Sequence, residues 1–382
     1  MNAIQTGTIP TGKYFSRPVF LDESFVLLSP ETPMTDELKA RLEKWGFVTV
    51  RTAGELLDAP AAGATDNEAP LVALDKDLRD AELLKEAQGF FEDTADFLET
   101  VFSEFTATNT LQPRAVSERV KLLTEQIRTK KKYLLRFSST MKDGRNYIVD
   151  HSTRTAILAI ALGGSLKLPP HRLIELGNTA LLHEIGMVRL PPQVYLSNRP
   201  LTDPEKKAIT AHTLLGFKIL REYSFPMPVC LGVLEAKENV DGSGYPRGLP
   251  GDKISLYAKI VSVCAAYAAI TAERPYRPAR NGHAGIMELL GKDKQRYDET
   301  VLRALVFTLS IFPIGTYVQL ANGAYGIVVD TNPENLRRPF VRIIRQPDGL
   351  RSSDQPVVNT GADEWQIKGT VTLEEIETPA KA

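Results

Sequence analysis

Two glycines one residue apart, closed by a tyrosine and a proline, occur in the run V-D-G-S-G-Y-P at residues 240–246. Glycine lifts the steric limit on φ and proline fixes the exit, so this run is a tight turn that brings main chain close to something else. Such turns are common, and this one constrains the fold mainly through its company. His151, the His183-Glu184 pair, His212 and the stretch R-P-Y-R at 274–277 all fall in one region of helical periodicity around it. A domain holding them has to bring histidines together from separate helices.

The helices can be read from their apolar spacing. Residues 147–162 are apolar and Ala-rich on more than one side, as in a buried helix. Pro169-Pro170 opens the next helix, 171–182, which ends at His183-Glu184. A third, 204–222, is capped by Thr202 or Asp203 with Glu205 and carries His212. Segments 229–238, 254–272 and 284–290 complete an all-helical core. Adjacent residues such as His183 and Glu184 point about 100° apart on a helix, so both can reach an ion in the wedge between them. Histidine and carboxylate satisfy borderline divalent cations only in sets.

At this point residues 136–310 resemble an HD-GYP domain, the bacterial module that hydrolyses cyclic di-GMP. The matching features are His151 in D-H-S-T-R-T-A, L-L-H-E-I-G-M at 181–187, Pro191, L-T-D-P-E followed by His212, Glu238 with D-G-S-G-Y-P, Ile254, and R-P-Y-R. The resemblance implies an all-α domain holding two metals, often iron, whose bridging hydroxide attacks the phosphodiester. Position by position, His151, His183 and His212 are kept, and Glu184 stands where the family has aspartate. Ala236-Lys237 replaces a His-His pair, and Ala265 and Ala268 replace aspartates. Met187 replaces a lysine, and Tyr147 stands where some members carry a carboxylate.

A lysine ammonium close to a metal position repels the ion and is free to pair with Glu184 instead. The resemblance therefore implies a degenerate HD-GYP protein of bacterial cyclic di-GMP signalling, impaired in catalysis and acting as a nucleotide- or partner-binding module. The alternative is an active metal-dependent phosphodiesterase with a reduced metal site. The residual metal set is His151, His183, Glu184 and His212, holding no metal or one weakly bound iron or manganese. Arg274, Arg277 and Lys237 are the candidates for contacts to the dinucleotide. The loop residues Asp241, Gly242, Gly244, Tyr245 and Pro246 match the family's partner-docking loop, so signalling proteins are the expected protein partners. Family members are often dimeric, which makes a homodimer an expectation here.

Around this domain the texture changes. Residues 1–57 alternate short β-like runs with one helix carrying Leu38, Leu42 and Trp45, a small α/β unit. Residues 58–70 read as a linker, and 71–135 as a helical connector interrupted at Pro113. Residues 311–382 are Gly-punctuated and β-branched, with Asn322-Gly323 between two runs as a hairpin signal, and suggest an SH3-like β-barrel. The 46 basic and 47 acidic side chains give a net charge of -1, which argues against a nucleic-acid partner. Two cysteines, Cys230 and Cys264, rule out a disulfide framework and fit a reducing compartment. With no run apolar enough to cross a bilayer and no signal-peptide pattern at the start, the expected location is cytoplasmic.

Overall fold

The computed structural model describes residues 2–17, 19–20, 26–28, 33–44, 49–59, 69–138, 146–195, 199–272, 280–291, 294–332, 335–352 and 355–377. The chain divides into two compact units, Met1–Arg79 and Asp80–Ala382.

The first unit contains strands β1 (Asn2–Gln5), β2 (Tyr14–Phe15), β3 (Val19–Phe20) and β4 (Val26–Leu28), helix α1 (Asp36–Lys44), and strands β5 (Thr49–Thr52) and β6 (Leu56–Leu57). Four strands pair antiparallel in the order β1-β5-β3-β4, and β2 pairs with β6. Ile9, Phe15, Val19, Leu28, Met34, Leu42 and Val50 form its core. Trp45, expected on the same helix as Leu42, lies outside the described residues.

The chain passes from this unit into the second within α2 (Ala69–Thr108), which starts inside the stretch expected to be linker. Helix α3 (Pro113–Leu134) follows, with proline as its first residue, where the missing N–H costs nothing. Val116, Val120, Leu123 and Ile127 recur at helical spacing and are buried. The two helices run antiparallel: Lys130 reaches Glu86 at 2.5 Å, and the Arg119 guanidinium sits 5.0 Å above the Phe97 ring.

Next come α4 (Tyr147–Ser165), α5 (Pro170–Leu182), α6 (Pro192–Tyr195), α7 (Asp203–Thr210), α8 (His212–Glu222), α9 (Met227–Glu235), α10 (Leu256–Thr271), α11 (Gly282–Leu290) and α12 (Glu299–Leu309). Helix α4 is buried on every side from Ile148 to Gly163, its apolar second half from Ala156 onward as its sequence requires and its polar run 150–155 as well. It packs on α5 and α10, and α5 packs in turn on α9. One apolar core runs from Phe91 and Phe105 of α2 through α3, α4 and α10 to Leu305 of α12. The connector helices therefore share the core of the central helical domain.

The helix expected over 204–222 is two helices. Thr202 and Glu205 form the capping box, but the chain turns at Ala211, so that α8 begins on His212.

After α12 come strands β7 (Tyr317–Leu320), β8 (Tyr325–Asp330), β9 (Phe340–Arg345), β10 (Val357–Asn359) and β11 (Ile367–Thr370), then α13 (Leu373–Glu377). The Asn322-Gly323 turn joins β7 to β8, with Gly323 at φ +91° and the Ala324 N–H donating to Asn322 Oδ1. Inward residues Val318, Leu320, Val328, Val341 and Ile343 alternate with more accessible ones. Among the described residues no closed barrel of the expected SH3-like kind is seen. Among the described residues the five strands form an antiparallel sheet in the order β10-β9-β8-β7-β11, and its two edges do not pair. Closure would need β10 to reach β11, but β10 has three residues and pairs along β9 alone.

Candidate functional site

Three helices and one turn bring His151, His183, Glu184 and His212 together. His151 lies in the first turns of α4. His183 caps the end of α5, and Glu184 leads into the short Ile185–Arg189 turn. His212 opens α8. Gly186 allows the closeness, because a Cβ there would meet the His212 carbonyl oxygen at 1.9 Å and the Gly216 nitrogen at 2.8 Å. The two segments thus cross main chain against main chain, one carrying Glu184 and the other His212.

All four side chains are buried. Glu184 Oε1 lies 3.4 Å from His183 Nε2 and 4.0 Å from His151 Nε2, while its Oε2 lies 3.3 Å from His212 Nε2. The other ring nitrogens of His183 and His212 are spoken for: His183 Nδ1–H donates to the Ala180 carbonyl at 2.7 Å, and His212 Nδ1–H to that of Ile209 at 2.6 Å. A main-chain carbonyl can only accept, so each Nε2 of the neutral rings is a lone pair. Burial drives the His183 pKa down to about 4, against the pull of Glu184 and with the help of Lys237. Burial lowers His212 as well, again opposed by Glu184. Two imidazole lone pairs therefore face a carboxylate, an arrangement of acceptors that needs a cation.

Lys237 is one. Its ammonium lies 2.9 Å from Glu184 Oε1, with the side chain a quarter exposed. Burial by itself would push the Glu184 carboxyl up, but Lys237 and then the histidines outweigh it and hold it well below the usual range. Lys237 is correspondingly raised, burial being overcome by Glu184.

The acceptors left over are Nε2 of His183, Nε2 of His212 and Oε2 of Glu184, each buried without a hydrogen-bond partner. Two donors each about 2.1 Å from one first-row cation, at a near-tetrahedral angle, lie roughly 3.4 Å apart. The 3.3 and 3.4 Å separations suit that spacing, and His151, His183 and Glu184 can each offer one close-set ligand atom. The donor chemistry fits a single divalent cation. Ala236, Ala265 and Ala268 are buried and supply no further ligand. Tyr147 stacks on His151, ring centroids 5.5 Å apart and planes 18° apart.

The glycine loop borders this cluster. Tyr245 meets His212 edge-on at 6.3 Å, and its N–H donates to the Lys237 carbonyl at 3.1 Å. Gly242 adopts φ +79°, and the Tyr245-Pro246 bond is cis. A Cβ on Gly244 would lie 2.3 Å from the Asn239 nitrogen. Asp241 Oδ1 accepts from the N–H and the hydroxyl of Ser243 at 3.0 and 2.6 Å.

Two buried glutamates that the sequence reading left without this role fasten the loop. Glu238 accepts from the N–H groups of Arg247 at 2.7 Å and Leu249 at 2.9 Å. Glu235 pairs with the Arg247 guanidinium and accepts from the Ser255 N–H at 2.8 Å. The available signal was two glutamates one helical turn apart before a glycine turn. Arg274 and Arg277, the expected dinucleotide contacts, lie outside the described residues.

A pH dependence follows from the lowered histidines. Unfolded, His183 and His212 take up protons near pH 6.5; folded, His183 resists until about 4. The unfolded state therefore binds more protons in that window, and stability rises with pH across it. The melting temperature of chelator-treated protein should be flat above pH 7 and fall steadily from 6.5 toward 4. A melting temperature unchanged over that interval would show that the rings are not held neutral.

The HD domain family matches residues 136–301 of the chain. The chain is 32% identical over 237 residues to the cyclic di-GMP phosphodiesterase PdeB of Borreliella burgdorferi, covering 61% of this chain and 62% of that one. It is also 32% identical over 222 residues to a cyclic di-GMP phosphodiesterase of Pseudomonas aeruginosa, covering 58% and 53%. The chain thus spans less than two thirds of the length of either relative. A solved HDG"Y"P protein from Bdellovibrio bacteriovorus aligns over 80% of this chain and 97% of its own, at 16% identity and a TM-score of 0.48. Among the described residues no helix is long and apolar enough to cross a membrane.

Proposed function

We propose that this chain, which matches the HD domain family at 136–301 and is similar to cyclic di-GMP phosphodiesterases, is an HD-GYP protein that acts in cyclic di-GMP signalling as a binding module with impaired hydrolysis. The observation that carries this reading is the Lys237 ammonium 2.9 Å from Glu184. A fixed monovalent cation already neutralises the one carboxylate of the cluster, so a dinuclear metal centre lacks both charge and ligands. What remains in this reading is a site for cyclic di-GMP, with Lys237 and, by the family resemblance, Arg274 and Arg277 as the side chains suited to its phosphates and guanines, and a loop, residues 241–246, suited to docking a signalling protein. Both cysteines are free and buried, in keeping with a reducing cytoplasm.

A second reading, a mononuclear phosphodiesterase, has an observation in its favour: the partnerless acceptors of His183, His212 and Glu184. His151, His183, Glu184 and His212 would hold one iron or manganese ion, which would supply Lewis-acid activation of a phosphodiester. In either case these side chains bind and orient, while Lys237 sets the net charge of the pocket.

Calorimetry with cyclic di-GMP, run beside an assay for linear dinucleotide in excess Mn²⁺, separates the two. We expect saturable binding with turnover absent or at least a hundredfold below that of PdeB assayed in parallel. Steady, chelator-sensitive cleavage would establish the mononuclear enzyme instead. No heat at high micromolar ligand would remove the nucleotide and leave protein docking alone.

A further inference from the structure

The turn between α2 and α3 grips the far ends of the two segments that carry Glu184 and His212. Asn109 ends α2 at φ +55°, its N–H donating to the Phe105 carbonyl at 3.0 Å. Asparagine is among the few side chains that tolerate this left-handed conformation. Held this way, Asn109 offers two acceptors. Its Oδ1 accepts from Arg189 Nη2, and its carbonyl oxygen accepts from the Tyr223 hydroxyl.

Beneath these bonds lies Phe105, 1% exposed. The Arg189 guanidinium covers its ring at 4.3 Å, and Tyr223 meets it edge-on with centroids 6.0 Å apart. Cation–π and edge-to-face contacts of this kind add directional preference to simple burial.

Arg189 is the last residue of the turn that starts immediately after Glu184. Tyr223 caps α8, which starts on His212. The near ends of the same two segments cross at Gly186 and His212 without room for a Cβ. Both segments are thus pinned twice, once at the ligand-bearing crossing and once at Asn109. Coupling between distant points travels through rigid elements and packed contacts of this kind.

We propose that Asn109 is a positioning residue and that the α2–α3 turn is a control point for the site. A shift of α2 along its axis is delivered through Arg189 and Tyr223 to Glu184 and His212. Helix α2 is the segment by which the chain leaves its first unit, so the turn lies on the covalent route from that unit to the cluster. The inference rests on reading the four-residue cluster as the functional site, but its test does not depend on metal or nucleotide.

The test compares Asn109→Gly with Asn109→Asp in the full chain. Glycine keeps the left-handed backbone and removes Oδ1, whereas aspartate keeps an acceptor for Arg189. In Asn109→Gly, amide exchange at 186–190 should quicken fivefold or more, and the ring-proton resonances of His183 and His212 should shift. Asn109→Asp should behave as the native chain in both. Native exchange and unshifted rings in Asn109→Gly would overturn the proposal. So would faster exchange with unshifted rings, since the contact would then end at Arg189, and so would an Asn109→Asp variant that behaves like Asn109→Gly. A native chain that takes up neither Mn²⁺ nor cyclic di-GMP would count against the functional reading, with these two readouts still deciding the role of Asn109.

Discussion

Lys237→Met should bind Mn²⁺ at least ten times more tightly than the native chain. In the native site an incoming cation meets a carboxylate already shared with an ammonium 2.9 Å away. It also meets that ammonium's charge: at an effective dielectric of about 20, a unit and a double charge roughly 4 Å apart repel by several kcal/mol. Solvent at the quarter-exposed lysine screens part of this, so a tenfold gain, about 1.4 kcal/mol, is a conservative expectation. The same substitution strands Glu184 among acceptors. Metal-free Lys237→Met should therefore lose about 3 kcal/mol, the low end for a broken buried pair, and regain it on adding Mn²⁺. Titration calorimetry with thermal melts, each with and without metal, reads both effects. Equal or weaker Mn²⁺ binding would mean that the ammonium does not compete with a metal.

Gly186→Ala should be the most damaging single methyl in the domain. Its Cβ would sit 1.9 Å from the His212 carbonyl oxygen and 2.8 Å from the Gly216 nitrogen, and both are main-chain atoms with no rotamer to yield. The crossing must open, at a cost on the order of 4 kcal/mol or more. For a unit of this size we expect a melting temperature lower by about 10 °C, together with loss of Mn²⁺ binding as Glu184 and His212 separate. Gly164→Ala is the control. A Cβ there meets nothing within 4 Å, and alanine is the better helix former, so it should be neutral or slightly stabilising. If both variants melt alike, the crossing is not what fixes the site.

The helices of the central domain were legible because their signals are local, whereas the candidate ligand set came from the family resemblance. A helix such as α4, apolar and Ala-rich over 156–163, has to be buried there, and a histidine at a helix end stays where the helix puts it. The pairing of Lys237 with Glu184 could be expected once the resemblance put Lys237 where the family has a metal ligand. What escaped the sequence was long-range or main-chain in origin. The break at Ala211 follows from Gly186 crossing at His212, a contact between residues 26 positions apart in sequence. The roles of Glu235 and Glu238 depend on where the backbone N–H groups of Arg247, Leu249 and Ser255 end up, which no side-chain pattern encodes. The C-terminal strands carried the right alternation for a barrel, but alternation does not say whether the first and last edges meet. The Asn109 contacts join residues about 80 and 114 positions apart, with no periodicity to announce them.

The loop at 241–250 takes its shape from Glu238 and Glu235, and through them from main-chain N–H groups and Arg247. Its outline is thus set by its own glutamates, while Tyr245 carries the loop up against His212 and the Lys237 main chain. A change in the cluster therefore has the Tyr245 ring and the Tyr245–Lys237 main-chain bond through which to reach the loop.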